Sequence, residues 1–128
     1  MVRKPSNILT DNELSIMKII WERGESSVKD VQEGLTGEES PAYTTVMTFL
    51  QILEKKGYLK HRKEGKTYIY SATVTKEDAI DSDVGNIVKR FFDNSTKKLV
   101  VSLLKNENLT EEDILDLEKF IEEKKIKR

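Results

Sequence analysis

Residues 43–71 pass from a helical apolar repeat into two β-rich stretches with one glycine between them, and few small folds accept that order. Val46, Phe49, Leu50 and Leu53 fall at i, i+3, i+4 and i+7, which places them on one face of a helix from about Tyr43 to Lys56. Gly57 stands where that helix needs its C-terminal stop. Tyr58–Arg62 and Thr67–Ser71 are rich in β-forming residues, and the turn at 63–66 contains Gly65, so the pair reads as a hairpin.

Two shorter helices precede this segment. Thr10 and Glu13 have capping-box spacing, Leu14, Met17, Ile20 and Trp21 follow at helical intervals, and Gly24 ends the helix. Ser26 or Ser27 caps a second helix carrying Val28, Val31 and Leu35, and Gly37 and Pro41 bracket the loop after it. Helix, helix, helix, hairpin is the order of a winged helix-turn-helix. Beyond it, Lys76–Phe92 reads as a helix with Val84, Ile87, Val88, Phe91 and Phe92 on one side. Asp93-Asn94-Ser95 breaks it, Ser95 caps a short apolar helix, and Thr110 caps a last one. The expected fold is mainly α with a small β-hairpin wing: a winged helix-turn-helix over residues 1–75 and a helical dimerisation segment over residues 76–128.

The chain has 128 residues, and a winged helix of some 75 is small enough to gain from a partner subunit. There is no cysteine, so neither a disulfide framework nor a thiolate metal site can form. His61 is the single histidine and reads as a hairpin surface residue rather than a metal ligand. No metal and no cofactor is expected. Neither a signal peptide nor a membrane-length apolar run is visible, which places the expected location in the cytoplasm, away from the membrane. Gly65-Lys66-Thr67 lacks the earlier glycine of a phosphate loop, no nucleophile–base set appears, and the chain is not expected to be an enzyme.

Net charge is −1, but its distribution is uneven. Residues 1–54 hold five basic and nine acidic side chains, whereas 55–66 hold Lys55, Lys56, Lys60, Arg62, Lys63 and Lys66 against Glu64 alone. A basic band in an otherwise acidic chain suits either a solvated loop or a phosphate contact. The outer face of the third helix helps to decide. It carries Thr44, Thr48, Gln51 and Lys55, flanked by Thr45 and Met47, with no acid in its first two turns. Threonine can contact phosphate or a thymine methyl, and glutamine can pair with adenine, so the expected partner is an operator in double-stranded DNA. Arg62, Lys63 and Lys66 on the hairpin would add contacts to phosphate without reading sequence.

The C-terminal half is apolar beyond what three short helices can bury among themselves. Ile87, Phe91, Phe92, Leu99, Leu103, Leu117 and Ile121 are the candidate interface of a homodimer, whose twofold axis would match a palindromic site. Two other uses of such a fold stay open at this point: a protein-interaction module, and a regulator released from DNA by a small molecule.

The sequence resembles the penicillinase-repressor family of bacterial winged-helix regulators from about Leu9 to Lys124. The resemblance is carried by Glu13-Leu14-x-Ile16-Met17-x-x-Ile20-Trp21, by Ala42-Tyr43-Thr44-Thr45-Val46-Met47-Thr48, by Leu53-Glu54-Lys55-Lys56-Gly57-Tyr58-Leu59 and by Tyr68-Ile69-Tyr70. It implies a cytoplasmic homodimer that blocks transcription on a short dyad operator, with Thr44, Thr45, Met47 and Thr48 in the DNA-contacting stretch. Ile52 stands where the family often has arginine. The copper-responsive branch has a cysteine hook that this chain lacks. Antibiotic-responsive members are cut by a regulatory protease at an Asn-Phe bond, and Ser102-Leu103 aligns with it here as the candidate cleavage site.

Overall fold

The computed structural model describes residues 9–35, 41–106 and 108–127, and the chain divides into two compact units, Met1–Asn86 and Ile87–Arg128. The first holds α1 (Asp11–Arg23), β1 (Ser26–Ser27), α2 (Val28–Gly34), α3 (Tyr43–Lys56), β2 (Leu59–Glu64) and β3 (Thr67–Ala72). Helix α4 (Lys76–Phe91) starts in the first unit and ends in the second, which also holds α5 (Thr96–Asn106) and α6 (Glu111–Ile126).

Helix starts follow side-chain chemistry. The Thr10 hydroxyl accepts from the Glu13 amide while the Glu13 carboxylate accepts from the Thr10 amide, as the spacing predicts. Ser27, rather than Ser26, does the same with Asp30 for α2. Thr75 with Asp78 and Thr110 with Asp113 repeat the box for α4 and α6, and Ser95 accepts from the Lys98 amide at α5. Gly57 ends α3 in the left-handed region, at φ 95°, where a side chain would be strained. The expected loop residue Gly37 lies outside the described residues.

The core of the first unit is built from α1 (Ile16, Met17, Ile20), α2 (Val28, Val31) and α3 (Val46, Leu50, Leu53), closed by Tyr58, Leu59 and Tyr70. Phe49 packs against this core without being fully buried. Val74 and Ala79 belong to it too, so the first turn of α4 is part of the winged helix's packing. The Trp21 Nε1–H donates to the Val74 carbonyl at 2.9 Å and ties the segment after β3 to α1.

The hairpin differs from the sequence expectation in two ways. The strands run on to Glu64 and from Thr67, leaving a tight turn of Gly65 (φ 64°) and Lys66 in place of a turn over 63–66. Lys63 and Glu64 are poor β formers, but pairing with Tyr68 and Thr67 carries them into the ladder. A third strand also appears: β1 pairs with β3 through Ser26↔Tyr70 and Ser27↔Ile69, giving the antiparallel order β1-β3-β2.

In the second unit, Asp93 and Asn94 take left-handed backbone conformations, and the Asn94 amide donates to the Val88 carbonyl at 3.0 Å. That bond, reaching back six residues, ends α4 at the predicted break. No residue described in α5 or α6 is fully buried.

Candidate nucleic-acid interface

Helix α3 presents the expected face. Thr44, Thr45, Thr48, Gln51 and Lys55 are exposed and Met47 is half-buried. The Thr48 hydroxyl donates to the Thr44 carbonyl at 2.9 Å, which leaves its oxygen lone pairs free to accept. Among the described residues, α3 differs from every other helix in how it begins. Its N-cap is Ala42, no side chain caps it, and its first turn has no acid. The positive end of its dipole therefore has neither a capping side chain nor an acid of its own first turn beside it.

At its other end, α3 is locked to α1. Lys56 Nζ lies 2.7 Å from the Glu13 carboxylate, which is almost fully buried. Burial pushes the Glu13 carboxyl up, but the Lys56 ammonium and the Thr10 hydrogen bonds outweigh it and leave the group below its ordinary value. The ion pair fixes α3 on the core.

The basic residues of the hairpin do not form one cluster. Ladder register sets His61 opposite Tyr70, Arg62 opposite Ile69 and Lys63 opposite Tyr68. Strand alternation then puts His61 and Lys63 on one face and Lys60, Arg62 and Glu64 on the other. On the α3 side, the His61 imidazole Nδ1–H donates to Glu54 at 2.6 Å, since a carboxylate only accepts. The ring also meets Tyr68 edge-on at 5.3 Å, and Lys63 Nζ lies 5.7 Å over the Tyr68 ring. A groove of about 420 Å³ runs between helix and wing, lined by Met47, Gln51, Glu54, Lys55, His61, Tyr68 and Tyr70.

On the opposite face Arg62 is engaged with acids. Its Nε and Nη2 donate to the two Glu25 oxygens, both at 3.2 Å, and Nη1 donates to Glu64. The hydrogen bond from Arg62 and its charge hold the Glu25 carboxyl below its usual range. Lys66 is exposed at the wing tip. The structure thus brings Met47, Gln51 and Lys55 together beside the hairpin, and separates Arg62 from Lys63.

Of the residues expected at a subunit interface, Ile87, Phe91, Leu103, Leu117 and Ile121 are exposed, while Phe92 and Leu99 are half-buried. Phe91 is 69% exposed. Ser102 and Leu103, the expected cleavage pair, lie within α5, where Asn106 Nδ2 donates to the Ser102 carbonyl. Among the described residues no helix is long and apolar enough to cross a membrane, and no group of acids or histidine could hold a metal ion.

Sequence reasoning missed Glu25, Glu54 and His61 as parts of this surface. Glu54 and His61 are joined only when β2 folds back along α3, and Glu25 meets Arg62 only through the three-stranded sheet.

The penicillinase repressor family matches residues 9–123. The chain belongs to the penicillinase repressor family. It is a winged-helix, DNA-binding transcriptional repressor and not an enzyme, as its sequence led us to expect. This repressor is 31% identical over 117 residues to the penicillinase repressor of Bacillus licheniformis, covering 91% of each chain. It is 22% identical over 116 residues to the methicillin resistance regulatory protein MecI of Staphylococcus aureus (strain N315), covering 91% of this chain and 94% of that one. A solution structure of the DNA-binding domain of the repressor BlaI is 32% identical and matches with a TM-score of 0.51, over 61% of this chain and 93% of that chain.

Proposed function

We propose that this repressor binds a short dyad operator as a cytoplasmic homodimer, with α3 of each copy in a major groove and each wing on phosphate. In this reading residues 1–75 form the DNA-binding domain and residues 76–128 the pairing domain. Thr44, Thr45, Met47, Thr48, Gln51 and Lys55 face bases and backbone, and Lys63 and Lys66 meet phosphate. The observation that carries it is the exposed face of α3, free of acid in its first two turns and beginning at an uncapped N-terminus. The exposed apolar side chains of α4, α5 and α6 support the homodimer, since so much apolar surface is uncommon on a monomer.

Sequences selected from random duplex DNA test the reading directly. On the selected site, Thr45→Ala and Thr48→Ala each weaken binding by about 1–3 kcal/mol while non-specific binding changes little. Wild-type affinity in both variants would remove α3 as the reader.

The wing is expected to contribute affinity without sequence. Lys63→Ala with Lys66→Ala lowers affinity for all duplexes and flattens the slope of log K against log salt by up to about 2, at about 0.9 per phosphate contact. An unchanged slope in a salt titration by fluorescence anisotropy means that these lysines meet solvent only.

A further inference from the structure

The wing leaves the body of the first unit at a definite place. β1 ends at Ser27, which pairs with Ile69, so among the described residues the hairpin has two strands and no third neighbour on the turn side of Ile69. A two-stranded ribbon alone holds its angle poorly. Arg62 sits opposite Ile69 at that boundary and His61 one residue before it. These two neighbours point to opposite faces, and each ends on an acid from a different element: His61 on Glu54 of α3, and Arg62 on Glu25 in the turn between α1 and β1.

The Arg62–Glu25 contact has the geometry of a clamp. Two parallel N–H···O bonds of 3.2 Å join guanidinium and carboxylate fork to fork, and Glu64 takes a third N–H. Such bidentate pairs fix direction as well as distance. Acids near a phosphate-binding wing repel DNA unless they are neutralised, and Arg62 neutralises two of them. The pair lies on the face of the sheet turned away from Glu54 and the groove beside α3.

We propose that Glu25 and Arg62 are positioning residues that set the angle of the wing against the reading helix, and that Arg62 is not a phosphate contact. The inference rests on the DNA-reading function proposed above and adds to it which wing cation touches DNA and which one holds the wing. Exposed ion pairs add little to global stability, so the clamp shows itself in wing order and in binding rather than in melting.

The test uses the full chain, the selected duplex and the variants Glu25→Gln, Arg62→Gln and the double variant. Each single change is expected to weaken binding by roughly three- to thirtyfold, the range for residues in direct contact, and the double variant to be no weaker than either single. The salt slope stays at the wild-type value in all three. In the DNA-free protein, amide exchange in the hairpin from Lys63 to Tyr68 speeds up in each variant while the denaturation midpoint holds. A flattening of about 0.9 in the slope for Arg62→Gln, together with tighter binding by Glu25→Gln, identifies Arg62 as a phosphate contact that Glu25 restrains, and overturns the proposal. Additive losses, or single variants that bind and exchange like wild type, overturn it as well. If the wild-type chain selects no duplex, the DNA reading fails, and the exchange measurement on free protein still decides whether the clamp exists.

Discussion

A fragment ending at Asn86 is expected to fold, to sediment as a monomer, and to bind the dyad operator about 10²–10⁴-fold more weakly than the full chain. Every member of the buried cluster of the first unit, Val74 and Ala79 included, lies within that fragment. A cut just after Lys76 is different, because it removes Ala79 from the core and the helix that carries it. The loss of affinity comes from the link rather than from any contact. Once one reader of a dimer is bound, the second half-site is engaged at a high effective concentration, and a monomer has no such second step. Binding to an isolated half-site should therefore be similar for fragment and full chain, while binding to the whole dyad separates them. A stable dimer of the fragment in sedimentation would move the interface into the first unit.

Glu13→Ala is expected to destabilise the protein by about 3 kcal/mol, since removing one partner of a buried ion pair leaves the other charge uncompensated. Lys56 is partly exposed, which keeps the loss at the low end of the range for buried pairs. Glu13→Gln should recover about 1 kcal/mol of this, because an amide oxygen still accepts from the Thr10 amide at the helix start. The same residue predicts a pH dependence. Its folded pKa lies below its ordinary value of 4.5, so its contribution is fully present above that pH and is lost as pH falls through the folded value. Asp83 acts in the opposite sense: burial raises its carboxyl, which disfavours the folded state once pH exceeds the ordinary value near 3.8. Taking the stability of Glu13→Gln from that of wild type at each pH removes the Asp83 effect. Denaturant unfolding at fixed protomer concentration gives this difference, which should shrink on acidification and not on raising the pH from neutral. A difference that is flat through the acid range would mean the ion pair contributes nothing.

Phe91, Leu103, Leu117, Phe120 and Ile121 are spaced as apolar faces of helices, and in the folded chain all five are exposed. Periodicity says that a side chain seeks cover, because it reports local geometry and apolar area. It does not say where the cover comes from, since that depends on elements the pattern does not contain.

What the amino-acid sequence determined by itself was everything set by neighbours a few residues apart. Thr10 with Glu13 and Thr110 with Asp113 place helix starts, Gly24 and Gly57 place helix ends, and the repeat from Val46 to Leu53 decides which face of α3 is buried and which is left exposed. These are short-range effects of hydrogen bonding, backbone sterics and amphipathic spacing, and they hold in almost any tertiary setting. Only the tertiary structure decided what depends on strands meeting across long loops. Ser26 and Ser27 carry no β signal, yet pairing with Tyr70 and Ile69 makes them a strand and brings Glu25 to Arg62. A basic run that looks like one patch is divided between two faces, because successive strand residues point opposite ways and only the register says which face meets α3.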